Sequence, residues 1–409
     1  MSHIIQKSIA ERLGGKDFGK NTELYKFAKI KKAKKEALEL HPERRIIDLG
    51  VGEPDWPADP LIVNRLKEEC SKPENRFYAD NGIPEFQKAC VSYMNSVYEV
   101  ESLNEKNIMH GIGSKPILAM LPLCFINPGD ITLMTVPGYP ILGTYTRYLG
   151  GSVYNLPLLE ENDFYPALDS IPDDIPERAK LLYINYPNNP TGQAATKEFY
   201  EEIVNFAREK EIIIVSDAAY ASLVYDGKPL SIFSVDRAID VAIEIHSLSK
   251  AFNMTGWRLA FVVGNEQAID LYGIVKDNTD SGQFRAIQKA GSTALEHPEI
   301  TQKTIAKYSR RFDLLIAALN ESGFTAQKPK GSFFCYVPIP RGTKSGIIFN
   351  SAEQAAEYLI HEASIITVPW DDAGSYLRFS VTFEAEDEEE EKMIVNEIRD
   401  RLKGLELVF

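Results

Sequence analysis

The densest set of reactive groups in the sequence is the run His246-Ser247-Leu248-Ser249-Lys250-Ala251-Phe252-Asn253-Met254-Thr255-Gly256-Trp257-Arg258. One lysine, two nearby serines and one arginine fall within it, directly after the apolar stretch 241–245. A lysine amine can form a Schiff base with an aldehyde cofactor. Serine hydroxyls and an arginine can hold a phosphate on the same cofactor. Lys250 is the candidate for the covalent bond. Ser247, Ser249 and Arg258 are the candidates for the phosphate.

Four other constellations suit that chemistry. Asp217 follows the apolar run 212–215, and a carboxylate at the end of a buried strand costs free energy unless a cation or donors pair with it. Tyr220 comes three residues later; a helix N-cap aspartate beside a core tyrosine would give the same pair. Asn185-Tyr186-Pro187-Asn188-Asn189-Pro190-Thr191-Gly192 carries two prolines and a glycine, which fix an irregular turn. Gly111-Ile112-Gly113-Ser114-Lys115-Pro116 precedes a helix-length stretch. Small residues at a helix N-terminus let amides approach a phosphate, and the helix dipole favours the anion. Lys115 fits there through its amide, or is simply a surface side chain. Arg378, in Tyr376-Leu377-Arg378-Phe379-Ser380, alternates with apolar residues and is either a fork for a carboxylate or a charge at a rim.

The Ser-x-Ser-Lys run, followed eight residues after the lysine by the arginine of Gly-Trp-Arg, resembles the cofactor-lysine motif of the fold-type I pyridoxal-phosphate aminotransferases (class I/II). The Asp-x-x-Tyr at 217–220, the Asn-Pro-Thr-Gly at 189–192 and the Gly-x-Gly-Ser at 111–114 resemble that family's motifs too, in its order, and the likeness runs from about 48 to 380. It implies an α/β fold: a large domain with a mostly parallel seven-stranded sheet, plus a smaller α+β domain. It implies pyridoxal 5'-phosphate as cofactor and Lys250 as its carrier and as the catalytic base and acid. Asp217 then keeps the pyridine nitrogen protonated, and Tyr220 and Asn189 serve the phenolate oxygen. Tyr139, in Val136-Pro137-Gly138-Tyr139-Pro140, matches the aromatic that stacks on the ring, or is a core tyrosine. Ser114, the Lys115 amide, Ser247, Ser249 and Arg258 become the phosphate site. Arg378, Gly52 and Asn189 become the substrate side, with Arg378 on the α-carboxylate. Tyr78 resembles a tyrosine that reaches the neighbouring subunit's phosphate, which implies a homodimer with shared active sites.

Substrate is carried by finer likeness. The segment Glu23-Leu24-Tyr25-Lys26-Phe27-Ala28-Lys29-Ile30, the Gly-Val-Gly-Glu-Pro-Asp at 50–55 and the Asp-Ser-Gly-Gln-Phe at 280–284 are similar to the LL-diaminopimelate aminotransferase group. In that group an N-terminal tyrosine, matched here by Tyr25, reaches the other subunit's substrate. The chain departs at Val368-Pro369-Trp370-Asp371-Asp372, where many relatives have a glycine-rich loop. The implied reaction moves an amino group from an amino acid to a 2-oxo acid, with diaminopimelate and 2-oxoglutarate as one pairing. Aspartate, aromatic or alanine transamination and a C–S lyase remain alternatives, because the motifs hold the cofactor and not the leaving group. A binding protein without catalysis would be expected to lack the lysine. A nicotinamide dehydrogenase would need a third glycine after Gly113 and a ribose-binding acid.

These residues need elements to place them. Short apolar runs at 131–136, 181–185, 212–216 and 241–245 read as strands, separated by helix-length amphipathic stretches such as 197–210. Alternating elements imply a parallel sheet covered on both faces, with ligands outside the carboxyl ends of its strands. The chemically loaded residues do follow the strand-like runs. A helix over 22–40 carries lysines 29, 31, 32, 34 and 35 as a solvated basic face. Beyond about 296 the pattern becomes a long helix, a strand at 332–337, a helix at 352–362, a strand at 376–381 and a terminal helix that starts within the acidic run 384–391. The expected domains are residues 1–48 (an arm and part of the small domain), 49–300 (cofactor binding) and 301–409 (small domain).

A length of 409 residues suggests two to three domains, and 44% hydrophobic with 25% charged content is ordinary for a globular protein. The formal net charge of −14 opposes nucleic acid and anionic membranes as partners. Cys70, Cys90, Cys124 and Cys335 form no C-x-x-C pair, so no metal site is expected; they read as small buried hydrophobes in a reducing, cytoplasmic setting. No run of about 18 apolar residues spans a bilayer.

Overall fold

The structure, a computed structural model, describes residues 3–20 and 26–409. Seven strands form its central sheet: β1 (Ile108–Gly111), β2 (Ile131–Val136), β3 (Ser152–Pro157), β4 (Ala179–Asn185), β5 (Ile213–Asp217), β6 (Ala242–Ser247) and β7 (Ala260–Gly264). They lie in the order β1-β7-β6-β5-β4-β2-β3. All pairs are parallel except those of β7, which runs antiparallel to both β1 and β6. The inner strands are buried along almost their whole length, as expected of a sheet covered on both faces. The edge strand β3 is largely exposed or half-buried, with only Leu156 buried.

This topology collects the motifs. The carboxyl ends of β1, β2, β4, β5 and β6 share one edge, and the antiparallel β7 begins there. Gly111 and Ser247 both pair with Ala260. The glycine loop, the lysine run and the arginine just upstream of β7 are thereby brought together.

Two boundaries differ from expectation because the backbone turns left-handed beside them. Glu211 (φ 55°) ends the helix Lys197–Lys210, and Ile212 N donates back to Ala207 O (2.9 Å), so β5 starts one residue late. Ser332 has φ 63° and therefore precedes, rather than starts, the strand β8 (Phe334–Pro338). Strands β3 and β7, which sequence patterning does not delimit, are respectively a half-polar edge and a five-residue run.

The C-terminal segment builds a three-stranded antiparallel sheet from β8, β9 (Val368–Trp370) and β10 (Tyr376–Ser380), with β10 central. The helices Ile300–Glu321, Ala352–Ala363 and Glu388–Gly404 accompany it. The last is capped by Asp387, whose carboxylate accepts from Glu389 N and Glu390 N (3.0 and 2.9 Å). The N-terminal helix Lys26–Leu40 packs Ala33 and Ala37 against Ile360 and Ile366. Ile47–Asp48 pairs in parallel with Ile365–Ile366. The expected helix start at 22 lies outside the described residues. Lys34 on this helix binds Asp48 (3.0 Å).

The cysteines need a correction. Cys90 and Cys335 are buried, but Cys124 is half-buried and Cys70 is exposed; all four are free. Cys70 is the last residue of the helix Pro60–Cys70, and its thiol falls on the open side. Among the described residues no helix is long and apolar enough to cross a membrane.

Candidate active site

Lys250 lies on a single helical turn, Leu248–Ala251, that starts where β6 ends. Ser247 caps this turn by accepting from Ser249 N (3.2 Å). The Lys250 amine reaches across to the carbonyl of Gly52 and stands 5.5 Å from the Phe333 ring centre. Burial holds its pKa down to about 8; Glu53 opposes that shift, and Arg258 and Arg378 add to it. Two arginines are thus close enough to be felt at the amine.

Asp217 ends β5 in the sheet centre and is buried. Tyr183 on β4 donates its hydroxyl to the Asp217 carboxylate (3.1 Å), and Ala219 N donates as well (3.2 Å). Burial nonetheless raises the carboxyl to about 6, against those hydrogen bonds and the nearby His246. The alternative of an N-cap aspartate is not realised: Asp217 is a strand residue, and only the turn Asp217–Ala219 is closed by it. Tyr220 is buried edge-on against Phe333 and Phe334 (centroids 5.3 and 5.9 Å). Its hydroxyl is raised by burial, with Arg378 acting the other way. Tyr139 is half-buried, near enough to Tyr183 and Tyr220 to influence both hydroxyls.

The turn after β4 is tied down at several points. Asn189 N donates to Asn185 Oδ1 (2.9 Å), Thr191 N to Asn188 Oδ1 (3.0 Å) and Gly192 N to Asn188 O (2.9 Å). Asn185 also donates to Asp217 O (2.7 Å), so one side chain couples this turn to the aspartate's strand. Gly192 (φ 73°) passes so close to Phe334 O that an added Cβ would stand 2.8 Å away.

Arg378, central on β10, is buried and not a rim charge. It donates to Asn189 Oδ1 (2.9 Å) and Gly50 O (2.8 Å), and its guanidinium lies 3.9 Å from the Phe334 ring centre. Its Nε is buried without a partner, and burial lowers the group to about 10. Gly52, whose carbonyl accepts from Lys250, faces Phe334 across 3.8 Å measured from an added Cβ.

On the opposite side, Gly113 (φ 84°) leads into the helix Ser114–Phe125. A Cβ at Gly113 would meet Arg258 Nη2 at 2.3 Å, so the arginine occupies the space that the glycine leaves open. Arg258 Nη1 donates to Thr255 O (2.9 Å). Ser114 Oγ, on the first residue of that helix, is buried with no partner. Ser249 is buried; the Lys115 side chain is exposed, which leaves only its amide for the site. Tyr78 is 77% exposed in the single chain and is not buried with this group. Tyr25 lies outside the described residues.

The unpartnered Ser114 hydroxyl beside Arg258 and a helix N-terminus fits a phosphate. The deprotonable Lys250 fits an aldehyde, and the buried carboxyl of Asp217 fits a pyridinium nitrogen. Sequence patterning misses Tyr183, Asn185, Phe333 and Phe334. Tyr183 carries no local signal, since its contact with Asp217 crosses between strands. Asn185 stood inside the turn motif, but its reach to Asp217 O depends on sheet register.

The chain belongs to the aminotransferase class I and II family, whose model matches residues 44–395. It is a pyridoxal-phosphate-dependent aminotransferase. It is 57% identical across the whole of both chains to an LL-diaminopimelate aminotransferase of Methanocaldococcus jannaschii, and 52% identical, again across both, to one of Methanococcus maripaludis. Among solved structures, substrate-bound BacF from Bacillus subtilis is similar with a TM-score of 0.86 at 32% identity, covering 98% of each chain. A Thermus thermophilus aspartate aminotransferase mutant superposes with a TM-score of 0.82 at 25% identity, over 96% of this chain and 99% of that one.

Proposed function

We propose that the enzyme moves the amino group of LL-diaminopimelate to 2-oxoglutarate. The observation that carries this is the full-length identity of 57% and 52% to two enzymes named for that substrate. Bound pyridoxal phosphate supplies an electron-withdrawing ring conjugated to an aldehyde, which acidifies the Cα–H of an attached amino acid. Lys250 Nζ would take the Cα proton as a base and, as an acid, deliver it to the cofactor carbon that bore the aldehyde; a pKa of about 8 leaves part of the amine neutral at physiological pH. Asp217 holds a proton on the ring nitrogen, and Tyr220 and Asn189 orient the phenolate oxygen. Tyr139 would supply the aromatic surface for the ring. Ser114, the Lys115 amide, Ser247, Ser249 and Arg258 bind the phosphate. Arg378 receives the α-carboxylate with Gly52 and Asn189 beside it, a role supported by its unpaired Nε.

We place two chains in a homodimer with shared sites, in which Tyr78 and Tyr25 cross to the partner; the exposure of Tyr78 supports this. Residues 49–300 form the cofactor domain. Residues 301–409 form the small domain, which part of residues 1–48 joins, as the pairing of Ile47–Asp48 with Ile365–Ile366 supports. Four free cysteines support a reducing, cytoplasmic location.

A donor panel tests the substrate. With 2-oxoglutarate as acceptor, glutamate should form with the highest kcat/KM from LL-diaminopimelate; faster turnover of aspartate or phenylalanine overturns the assignment. In the same panel Arg378→Lys keeps charge but loses the planar fork. It should lower kcat/KM roughly 10²-fold for every donor, the loss of about two charge-assisted hydrogen bonds, while cofactor absorbance stays.

A further inference from the structure

Arg258 has φ 57° and ψ 52°, a left-handed backbone that a bulky residue keeps only when its surroundings enforce it. The amide of Gln283 enforces it. Gln283 Nε2 donates to both Trp257 O and Arg258 O, each at 2.8 Å. Successive carbonyls point the same way only when the residue between them has a helical backbone of either hand; in extended chain they point to opposite sides. One NH2 group spanning both carbonyls therefore locks residue 258 in the conformation that aims its side chain at Gly113.

The other end of that amide is fixed too. Gln283 Oε1 lies 3.1 Å from His110 Nε2. His110 is fully buried on β1, and burial with nearby Lys276 lowers its pKa to about 4, so the ring is neutral with one N–H to give. Its Nδ1 has no partner, which leaves Nε2 as the protonated nitrogen. The backbone of Gln283 is anchored in turn. Its carbonyl accepts from Gln288 (2.8 Å), and Gly282 N donates to Asp280 (2.8 Å), which is ion-paired with buried Lys276. The same segment holds the loop bearing Tyr78, through Arg285 to Tyr78 O (2.6 Å) and Ile83 N to Gln288 (2.9 Å).

We propose that Gln283 is a positioning residue for the cofactor's phosphate, acting through the backbone of Arg258. This rests on the assignment of Arg258 to that phosphate. The test compares pyridoxal phosphate with pyridoxal, which lacks the phosphate, as ligands of the apoenzyme. Gln283→Met keeps the shape and removes the donor. It should weaken pyridoxal phosphate roughly tenfold, as expected for a lost hydrogen-bond pair, and leave pyridoxal within about twofold. Gln283→Leu, which also lacks the donor and adds no charge, should do the same and serves if the Met variant does not fold. Equal weakening of both ligands, or of neither, overturns the proposal, because a merely structural role cannot distinguish them. Arg258→Ala in the same assay separates the two claims. If it too spares the preference for pyridoxal phosphate, the phosphate assignment itself falls, and this inference with it. If Arg258→Ala alone removes the preference, the assignment stands and Gln283 is not its positioning residue.

Discussion

Lys250 and Asp217 are both buried ionisable groups, and burial moves them in opposite senses because it penalises charge: the lysine falls to about 8 and the aspartate rises to about 6. The aspartate's shift has a thermodynamic sign that can be checked. A carboxyl with a raised folded-state pKa binds more protons folded than unfolded. Its contribution to stability is therefore full below about 4 and is lost as pH rises through about 6. Asparagine imitates the protonated form at every pH. The apoenzyme of Asp217→Asn should thus be more stable than wild type at pH 7.5, by up to about 3 kcal/mol at 1.4 kcal/mol per unit, with the difference vanishing near pH 4. Denaturant titrations of the two apoenzymes at several pH values measure it. The holoenzyme should behave oppositely in function, with turnover reduced by roughly 10² or more, since in the proposed mechanism the carboxylate faces the charge that develops in the reaction. A variant no more stable than wild type at pH 7.5 would mean that Tyr183 and the Ala219 amide already compensate for the burial. Lys250 was legible from the serines and the arginine spaced around it, Asp217 because a carboxylate follows an apolar run, and Arg378 because a charge alternates with apolar residues. Tyr183 was not, since a tyrosine in a strand is equally at home in a core.

At the scale of elements, the loop from β1 into the helix Ser114–Phe125 is the most exacting. Gly113 combines φ 84° with the nearness of Arg258 Nη2. Alanine there would be strained and would push the guanidinium aside, because the end of a long side chain yields more easily than backbone. Gly113→Ala should weaken pyridoxal phosphate binding by roughly tenfold or more, with little change in far-ultraviolet circular dichroism. Cofactor affinity equal to wild type would show that Arg258 tolerates displacement. The Gly-x-Gly-Ser pattern was readable, but its geometric reason was not, since Arg258 lies 145 positions later in the chain. Strand boundaries slipped for a related reason. Glu211 and Ser332 adopt left-handed backbones that neither residue type announces.

For the whole molecule, a formal charge of −14 surrounds a site where Arg258 and Arg378 are both near enough to influence Lys250. An anionic ligand is therefore drawn by local cations against the global field. If the sites are shared across a two-fold interface, reciprocal complementation follows. Inactive Lys250→Ala and inactive Tyr78→Ala chains, mixed under conditions that exchange subunits, should regain one competent site per heterodimer. No activity from heterodimers that demonstrably form, or a monomer on sedimentation, rules the arrangement out.

The sequence by itself determined the chemistry and the class of fold. Apolar runs of strand length alternating with amphipathic stretches permit little besides a covered parallel sheet, and the motifs after those runs name the groups that a phosphorylated aldehyde needs. Tertiary structure alone decided how those groups meet. The antiparallel turn of β7 brings Arg258 to Gly113 and Ser114. The register of β4 on β5 puts Tyr183 and Asn185 on Asp217. The fold also carries Arg378 from the C-terminal sheet to within 2.9 Å of Asn189, across 189 positions of chain. Contacts of that separation leave no trace in local periodicity, because what selects them is the packing of distant elements rather than the preference of any residue for its neighbours.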